Sequence, residues 1–424
     1  MVKRIVTEFG GWLWLLVALA GAVVHGGTAL LRVDTFFPTP RLLDFSGFYV
    51  AGAAARMGVP PYAISAEIQT QIQQSANIPF NFIPIFNPPF TPWILQPLSL
   101  VSYPVAATLW TLLMLLLLLL CTKWLAEIAD ITHWIGKLIL YGLVVSYGPV
   151  FLNLTLGQIT IPLLMLGIWI GRNFHAKRHS IWNAIAVALA TGLKLTPFGW
   201  SGAFFLLRGW RLLVLTVAFV LAALFMPFAL RSEMVAGYWQ ETLTGRIGSA
   251  VSQPALDDQS INAFVNRLGQ AHRYTISGLN LAEKQVVRWD LPWELTGTQI
   301  QVISLGLLGL LQLPILWIVW RGHDVVQPEP FFYAWLLFTL LLLPHTARYN
   351  HALLLPAMAW LWGQGGAGRK IAIGAYALTA LARLNHLLAL ALPPMLVPLA
   401  LGVGLAGAVG LYLGVCWLIS AEIE

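Results

Sequence analysis

The stretch PVAATLWTLLMLLLLLLCT, residues 104 to 122, has no charged side chain and is long enough to cross the apolar core of a bilayer as one helix. Similar runs recur along the 424 residues, of which 58% are hydrophobic and only 10% are charged, against about 25% charged residues in soluble domains. The runs are continuous and do not alternate in polarity, so they predict an all-α integral membrane protein. The expected spans are 11–31, 104–122, 138–152, 158–171, 181–207, 211–230, 299–320, 331–344, 351–362, 371–390 and 395–417.

Several of these runs do not fit one upright crossing, and we count about 11–12 transmembrane or re-entrant helices in all. The run 181–207 lies between two basic loops, 171–180 and 208–211, which should share one side of the membrane. One helix cannot return to its own side, so the sequence predicts a re-entrant hairpin that turns at LKLTPF, residues 193–198. The runs that are too short for a full crossing are 158–171, 331–344 and 351–362. Short and broken helices in a membrane usually surround a cavity.

Orientation follows from the basic residues of the short loops, such as Lys123, Arg172 and Arg321, which fall on one side when the hairpin is included. That side is cytoplasmic by the positive-inside rule. The chain, 1–424, is therefore expected to form a single multi-pass domain of the plasma membrane with both termini in the cytoplasm. Two long segments, about 32–103 and 231–298, then face outward, and any chemistry is expected there.

The net charge of +7 comes from 24 basic residues scattered between apolar runs, so no basic face for a nucleic acid is formed. The two cysteines, Cys121 and Cys416, sit in apolar stretches without a paired cysteine or a nearby histidine at ligand spacing. Neither a disulfide framework nor a thiolate metal site is indicated. The expected partners are therefore membrane lipids and not a nucleic acid.

Six motifs follow one another along the chain: DFSGFYVAGAAARMGVPPY (44–62), NPPFTPWILQPLSL (87–100), LNLTLGQITIPLLMLGIWI (152–170), TGLKLTPFGW (191–200), DDQSINAFVNRL (257–268) and LLPHTARYNHALLLP (342–356). In this order the chain resembles glycosyltransferase family 87, also described as DUF2029, within the GT-C membrane glycosyltransferases. The resemblance implies a polytopic bundle that takes a sugar from a polyprenyl-phosphate donor and adds it to a lipid or glycan acceptor. It implies mannose first and arabinofuranose second, since the family includes enzymes for both. The first and last motifs depart from the family pattern, at Phe45, Ser46 and PHTARYNH.

Transfer to an acceptor hydroxyl needs a base at the water side of the membrane. The resemblance implies that Asp44, close after the first span, is this catalytic base and that the anomeric carbon is inverted. Asp34, ten residues earlier, is the rival acid, but only Asp44 begins a matched motif. A carboxylate at this position could also cap the helix that follows it.

The leaving lipid phosphate needs cations or hydrogen-bond donors. The candidates are His345, Arg348 and His351 in the late outer turn and Lys194 at the predicted hairpin, because charges within a membrane are costly. Alternatively, the two histidines could be interfacial residues and Lys194 could extend to a nearby surface. The histidines have no carboxylate close in sequence, so no metal site is assigned. Some GT-C enzymes use a divalent cation, and this requirement is left open.

Sugar or acceptor contacts are expected where donors and acceptors are dense beside aromatic rings. The second outer segment supplies Asp258, Gln259 and Asn262, although the same residues could begin a capped loop helix. Gln158 in LNLTLGQ and Tyr49 in the first motif complete the candidate set. A further polar group lies in the apolar run 371–390 and consists of Arg383, Asn385 and His386. These residues could face a lipid groove or pack inside the bundle.

The main competing hypothesis is a secondary transporter, which would be expected to show repeated halves and charged sites near the bilayer midplane. Here the halves differ, and most polar clusters fall in the outer segments. A purely structural protein would have no reason to bear the cost of a charge such as Lys194 in the membrane. Sugar transfer into lipid, as opposed to uptake of a solute, separates the two main hypotheses.

Overall fold

The computed structural model describes residues 41–82, 85–176, 180–207, 209–230, 237–238, 240, 255, 257–277, 284–289, 293–322, 326–382 and 390–423. The expected first span 11–31 lies outside these residues, as does Asp34. The polar group at Arg383, Asn385 and His386 also lies outside them.

The described residues form a helical bundle, which confirms the all-α membrane class expected from the apolar runs. The helices are α1 (Leu43–Met57), α2 (Ala66–Ala76), α3 (Phe90–Leu95), α4 (Tyr103–Ile128), α5 (Trp134–Ser146), α6 (Gly148–Leu156), α7 (Thr160–Ala176), α8 (Ile181–Leu193), α9 (Ser201–Leu206), α10 (Trp210–Leu230), α11 (Ile261–Gly269), α12 (Gly297–Gly322), α13 (Pro328–Leu341), α14 (Leu355–Gly363), α15 (Gly366–Leu381), α16 (Val397–Leu401) and α17 (Val403–Ile423). Short 3-10 helices cover Gln96–Leu100, Thr196–Trp200, Arg348–Leu354 and Pro394–Leu396.

Within the described ranges, three helices are long and apolar enough to cross a membrane: α4, α12 and α17. A fourth candidate is the pair α5 and α6, which the sequence predicts as one span over 138–152. The two helices meet at a 59° bend at Tyr147, which the sequence did not predict, and the crossing by this pair stays a prediction. Pro149 follows the bend, and proline both lacks an N–H and disfavours helical geometry in the residue before it.

The core of the bundle lies around α13, which packs against α7 on one side and α17 on the other. Its aromatic residues Phe331, Phe332 and Tyr333 are all completely buried. By contrast, α12 exposes large apolar side chains such as Leu305 and Leu310. An apolar face of this kind suits contact with lipid tails, where it would be unfavourable in water.

The first outer segment forms a platform of short helices. α1 packs against α3 and the 3-10 helix Gln96–Leu100, and the approach is closest at Gly52, where an added Cβ would lie 3.1 Å from the carbonyl oxygen of Leu95. α1 is not one of the spanning helices, so Asp44 in its first turn lies outside them.

The second outer segment contains one feature that the apolar pattern did not predict. After α11 the chain forms an antiparallel hairpin of β1 (His272–Ser277) and β2 (Lys284–Trp289), with His272 paired to Trp289. HRYTIS and KQVVRW are rich in β-branched and aromatic residues, which favour strands. The hairpin adds to the helical bundle without changing its class.

The chain breaks where the hairpin in 181–207 was predicted to turn. α8 ends at Leu193, Lys194 is extended with φ −152 and ψ 131, and a 3-10 helix begins at Thr196. Pro197 stands near the start of that helix. The position of the break is thereby confirmed, and the re-entrant path of the segment stays a prediction.

Candidate active site

Asp44 lies in the first turn of α1, but it does not cap this helix. The N-cap position is Leu42, and no side chain there accepts a hydrogen bond from the helix. Asp44 Oδ2 instead accepts a hydrogen bond of 2.5 Å from Gln158 Nε2. Burial raises the pKa of Asp44, and the Gln158 bond and the charge of Lys194 offset this only in part. A general base works best when its pKa lies near the working pH, so a raised pKa suits Asp44 to this role.

Gln158 reaches Asp44 because the turn after α6 fits closely against α1. Gly157 ends α6 with φ +71, a conformation that glycine adopts without strain. A Cβ on Gly157 would lie 2.5 Å from Cβ of Phe45 and 3.0 Å from Cβ of Leu42. The Gly157 carbonyl accepts a 3.0 Å hydrogen bond from Trp110 Nε1, which fixes the turn to α4. The motif LNLTLGQ therefore supplies both the close approach and the side chain that holds the carboxylate.

Lys194 is positioned by the NPPFT part of the first outer segment. Asn87 Nδ2 donates a 2.8 Å hydrogen bond to the carbonyl of Leu193, and Thr91 Oγ1 donates to the same carbonyl at 2.8 Å and lies 3.1 Å from that of Gly192. These bonds satisfy carbonyls that the end of α8 leaves without helical partners. The broken helix is thus held open at Lys194, and the sequence reasoning missed this role of NPPFT.

Lys194 is joined to the late outer turn. Its Nζ donates a 2.8 Å hydrogen bond to Asn350 Oδ1 and lies 5.0 Å from the ring centre of Tyr349. The turn itself is fixed by Asn153 Nδ2, which donates a 2.8 Å hydrogen bond to the Tyr349 carbonyl. Lys194, a predicted phosphate-binding residue, therefore contacts the turn that carries Arg348, another predicted phosphate-binding residue.

His345 forms an ion pair with Asp258. Asp258 is completely buried, and its Oδ2 lies 2.6 Å from His345 Nδ1. Its Oδ1 accepts backbone hydrogen bonds from Ser260 at 2.8 Å and Thr346 at 3.0 Å. Burial opposes ionisation of Asp258, but these bonds outweigh it and its pKa is lowered. The hydrogen bond to Asp258 raises the pKa of His345, despite burial, so the imidazolium form is favoured.

The other polar residues of DDQSINAFVNRL mostly serve the local fold. Ser260 caps α11 through a 3.0 Å bond from the Ala263 amide, which confirms the capped helix among the alternatives. Arg267 is completely buried, and its Nη2 donates to the carbonyls of Asp258 and Ala255. Gln259 joins this segment to the last helices, because its Nε2 donates to the Leu401 carbonyl at 2.9 Å and its Oε1 accepts from the Leu405 amide at 3.1 Å.

The remaining candidates lie at different depths. Arg348 donates a 2.9 Å hydrogen bond to the Ala382 carbonyl. His351 is 1% exposed, and Tyr147 donates a hydrogen bond to its carbonyl, so its side chain lies inside the bundle. Tyr49 is buried and donates to the Val101 carbonyl at 2.7 Å, while Asn262 is half-buried on α11. Their predicted contacts with phosphate or sugar stay predictions.

The charged groups of these separate segments share one region. Asp44 interacts electrostatically with both Lys194 and Asp257, and His345 interacts with the same two residues as well as with Asp258. Asp257 also interacts with Arg348. Charged groups of both signs are thus coupled in this region, and Asp257 joins the set although it was not among the predicted site residues. No group of three His, Cys, Asp or Glu side chains within the described residues is arranged to hold a metal ion.

A carboxylate coupled to Lys194, with His345 and Arg348 coupled to neighbouring acids, suits proton removal beside a leaving anion. The family model described as Glycosyltransferase family 87 matches residues 86–344. The chain belongs to glycosyltransferase family 87. This family 87 chain is therefore a membrane glycosyltransferase, as the order of its motifs implied. The matched range contains Gln158, Lys194 and Asp258, whereas Asp44 lies before it and His345 follows directly after it.

One relative of the family 87 chain comes from Mycolicibacterium smegmatis. It is named a polyprenol-phosphate-mannose-dependent alpha-(1-2)-phosphatidylinositol mannoside mannosyltransferase. The two chains are 27% identical over 326 residues, which cover 71% of each chain.

Proposed function

We propose that this enzyme transfers mannose from a polyprenyl-phosphate donor to a hydroxyl group of a lipid or glycan acceptor at the outer face of the membrane. The donor and sugar follow the name of the Mycolicibacterium smegmatis relative. The observation that carries the mechanism is the contact between Asp44 and Gln158 in the field of Lys194. A carboxylate held by an amide and coupled to a cation supports this proposal, because sugar transfer from a phosphate ester needs a base and a group that stabilises the leaving anion.

Asp44 acts as the general base in this proposal. The acceptor oxygen attacks the anomeric carbon while its proton passes to Asp44, and the bond from that carbon to the phosphate oxygen breaks. The lipid phosphate leaves with the bonding electrons, and the anomeric carbon is inverted. Gln158 keeps one carboxylate oxygen occupied, so the second oxygen, Oδ1, is the one that receives the proton.

Lys194 and the cations of the late turn stabilise the leaving phosphate. Lys194 and His345 are electrostatically coupled to each other, and Arg348 is coupled to Asp257 in the same region. Charge that develops on the phosphate in the transition state is stabilised by such fixed cations. Asp258 keeps His345 protonated, and the protonated ring can then donate its second N–H to a phosphate oxygen.

The outer location rests on the position of the basic residues. Tyr103, at one end of α4, donates a hydrogen bond to the Leu42 carbonyl beside Asp44. The other end of α4, where Arg172 pairs with Glu127, lies about 36 Å away at 1.5 Å per residue. Basic loops favour the cytoplasm, so Asp44 belongs at the opposite face and both termini in the cytoplasm. Accessibility of single cysteines at Glu67 and Lys370 to an impermeant reagent in intact cells tests this orientation.

The decisive experiment measures sugar release by purified enzyme in lipid, with polyprenyl-phosphate mannose as donor and a membrane-lipid extract as acceptor. The Asp44→Asn variant should bind donor but lose at least about 10²-fold in rate, because asparagine still accepts from Gln158 but cannot take a proton. Asp130→Asn is the matched control, since Asp130 is exposed and has φ +54, which asparagine tolerates. Wild-type activity in Asp44→Asn overturns the assignment of the base. Solute uptake without any sugar transfer favours the transporter.

A further inference from the structure

Helix α2 in the first outer segment differs from the other helices in its chemistry. Its sequence, AEIQTQIQQSA, contains four glutamines, one acid and no basic residue. Only Ile72 and Ala76 are buried in the bundle, and most of the polar side chains are exposed to solvent. The mechanism above uses none of these residues. A surface that is polar, amide-rich and almost uncharged is better suited to hydroxyl groups than to phosphate.

A cavity of about 360 Å³ lies at the end of this helix. Its walls include Gln73, Gln74, Asn77, Phe80 and Asn81, with no charged residue among them. Within the described residues, the side-chain amides of Gln74, Asn77 and Asn81 are exposed and make no hydrogen bond. Each amide offers two N–H donors and one acceptor oxygen. Beside them the Phe80 ring supplies an apolar surface.

The shape of the cavity is fixed by local hydrogen bonds. Ser65 caps the start of α2, since its hydroxyl accepts from the Ile68 amide, and Asn77 caps its end in the left-handed conformation with φ +60. The Ile78 amide donates to the Gln73 carbonyl at 2.9 Å, and Gln73 Nε2 donates to the Phe80 carbonyl at 3.1 Å. The turn is therefore preformed, and ligand binding would not have to order it.

This cavity is connected to the helix that carries Asp44. The Phe80 ring packs edge-on against Tyr103, with ring centres 5.6 Å apart. Tyr103 in turn lies 5.9 Å from the Phe45 ring and donates a hydrogen bond to the Leu42 carbonyl. One buried ring thus separates the polar cavity from the first turn of α1.

We infer that this cavity binds the neutral glycan part of the acceptor. The inference rests on the proposed function, and it adds that acceptors with several sugar units are preferred over acceptors with one. The inner sugars lie against the amides of Gln74 and Asn81 and the ring of Phe80, and the terminal hydroxyl lies at Asp44. No covalent step takes place in the cavity.

The test compares initial rates for two acceptors that share one lipid but carry one or three mannose units. The double variant Gln74→Ala, Asn81→Ala removes exposed amides and should leave the fold intact. For the three-sugar acceptor its KM should rise roughly tenfold, the loss expected for one or two hydrogen bonds. Its kcat, its KM for the donor and its KM for the one-sugar acceptor should stay unchanged.

Gln71→Ala is the matched control, because Gln71 is an exposed glutamine of the same helix outside the cavity. The inference is overturned if the double variant behaves as wild type, if Gln71→Ala gives the same change, or if both acceptors are affected equally. Saturation-transfer NMR with free mannotriose separates this inference from the proposed function, since it needs no turnover. Mannotriose binding that the double variant loses would support the cavity even if no acceptor were glycosylated, whereas no mannotriose signal on wild type would refute it.

Discussion

Replacing Gly157 by alanine should impair the chemistry while leaving most of the fold in place. The glycine has φ +71, and an L-residue in this conformation costs about 1–2 kcal/mol. The new methyl group would lie 2.5 Å from Cβ of Phe45, where carbon atoms normally stay about 3.5 Å apart or more. The turn must therefore move by about 1 Å, since neither Phe45 nor Leu42 has space to move away.

This movement falls on the contact that holds the base. Gln158 follows Gly157 directly, and its 2.5 Å bond to Asp44 would stretch or break. A misplacement of about 1 Å in a catalytic group can cost on the order of 10²-fold in rate. We expect kcat to fall by about this factor at saturating donor and acceptor, with the protein still eluting as a single folded species.

Gly410→Ala is the control for the substitution. Gly410 lies within α17, and an added Cβ would meet no atom within 4 Å. Alanine in a helix interior is better than glycine by about 1 kcal/mol, so this variant should be at least as stable and as active as wild type. Full activity of folded Gly157→Ala would refute the proposed role of the close turn, and so would an equal loss in Gly410→Ala.

Further predictions concern the pH dependence of two variants and of the wild-type fold. Asp258→Asn removes the partner that raises the pKa of His345, so His345 should lose its proton at lower pH than in wild type. The KM for the donor should therefore begin to rise at lower pH. Donor binding measured from pH 5 to 9 checks this. In wild type the ion pair should stabilise the fold most between about pH 4 and 6.5, because the Asp258 pKa is lowered from about 3.9 and the His345 pKa is raised from about 6.5. Lys194→Gln removes a positive charge that lowers the pKa of Asp44, so the acid limb of kcat/KM should move to higher pH, with a weaker donor affinity.

Conservative variants serve as controls for both pH predictions. Lys370→Gln removes an exposed lysine outside the site, and its acid limb should match wild type. Asp130→Asn removes an exposed carboxylate without a histidine partner among the described residues. A pH profile of Asp258→Asn that superimposes on wild type would show that the ion pair does not control donor binding. If the acid limb of kcat/KM does not shift in Lys194→Gln, Asp44 is not the group whose ionisation sets that limb.

The sequence predicted the helices well because continuous apolar runs have few alternatives in a membrane. It also located the break at Lys194, where a charge and Pro197 interrupt the run. The bend at Tyr147 was missed, although Gly148 and Pro149 are a local signal for it. The hairpin β1 and β2 was missed because membrane class was judged from apolar runs, which say little about an outer segment.

The site was predicted less completely, because its contacts join residues that are far apart in the chain. Asp44 and Gln158 were both chosen from their motifs, but a separation of 114 residues gives no pattern that pairs them. The pairing of Asp258 with His345 across 87 residues was hidden in the same way. Local reasoning proposed sugar contact for Asp258, and the buried ion pair appears only when the two outer segments are placed together.

The bond network of Gln259 bears on how such an enzyme comes into being during translation. The residue lies beside Asp258, yet its partners Leu401 and Leu405 lie 142 and 146 residues later in the chain. A nascent chain that has inserted Asp44, Lys194 and even His345 still lacks the anchor for the acid that charges His345. The ribosome must therefore deliver α16 and α17 before the site can be complete, and a chain interrupted before them would leave the pool of lipid-linked sugar untouched.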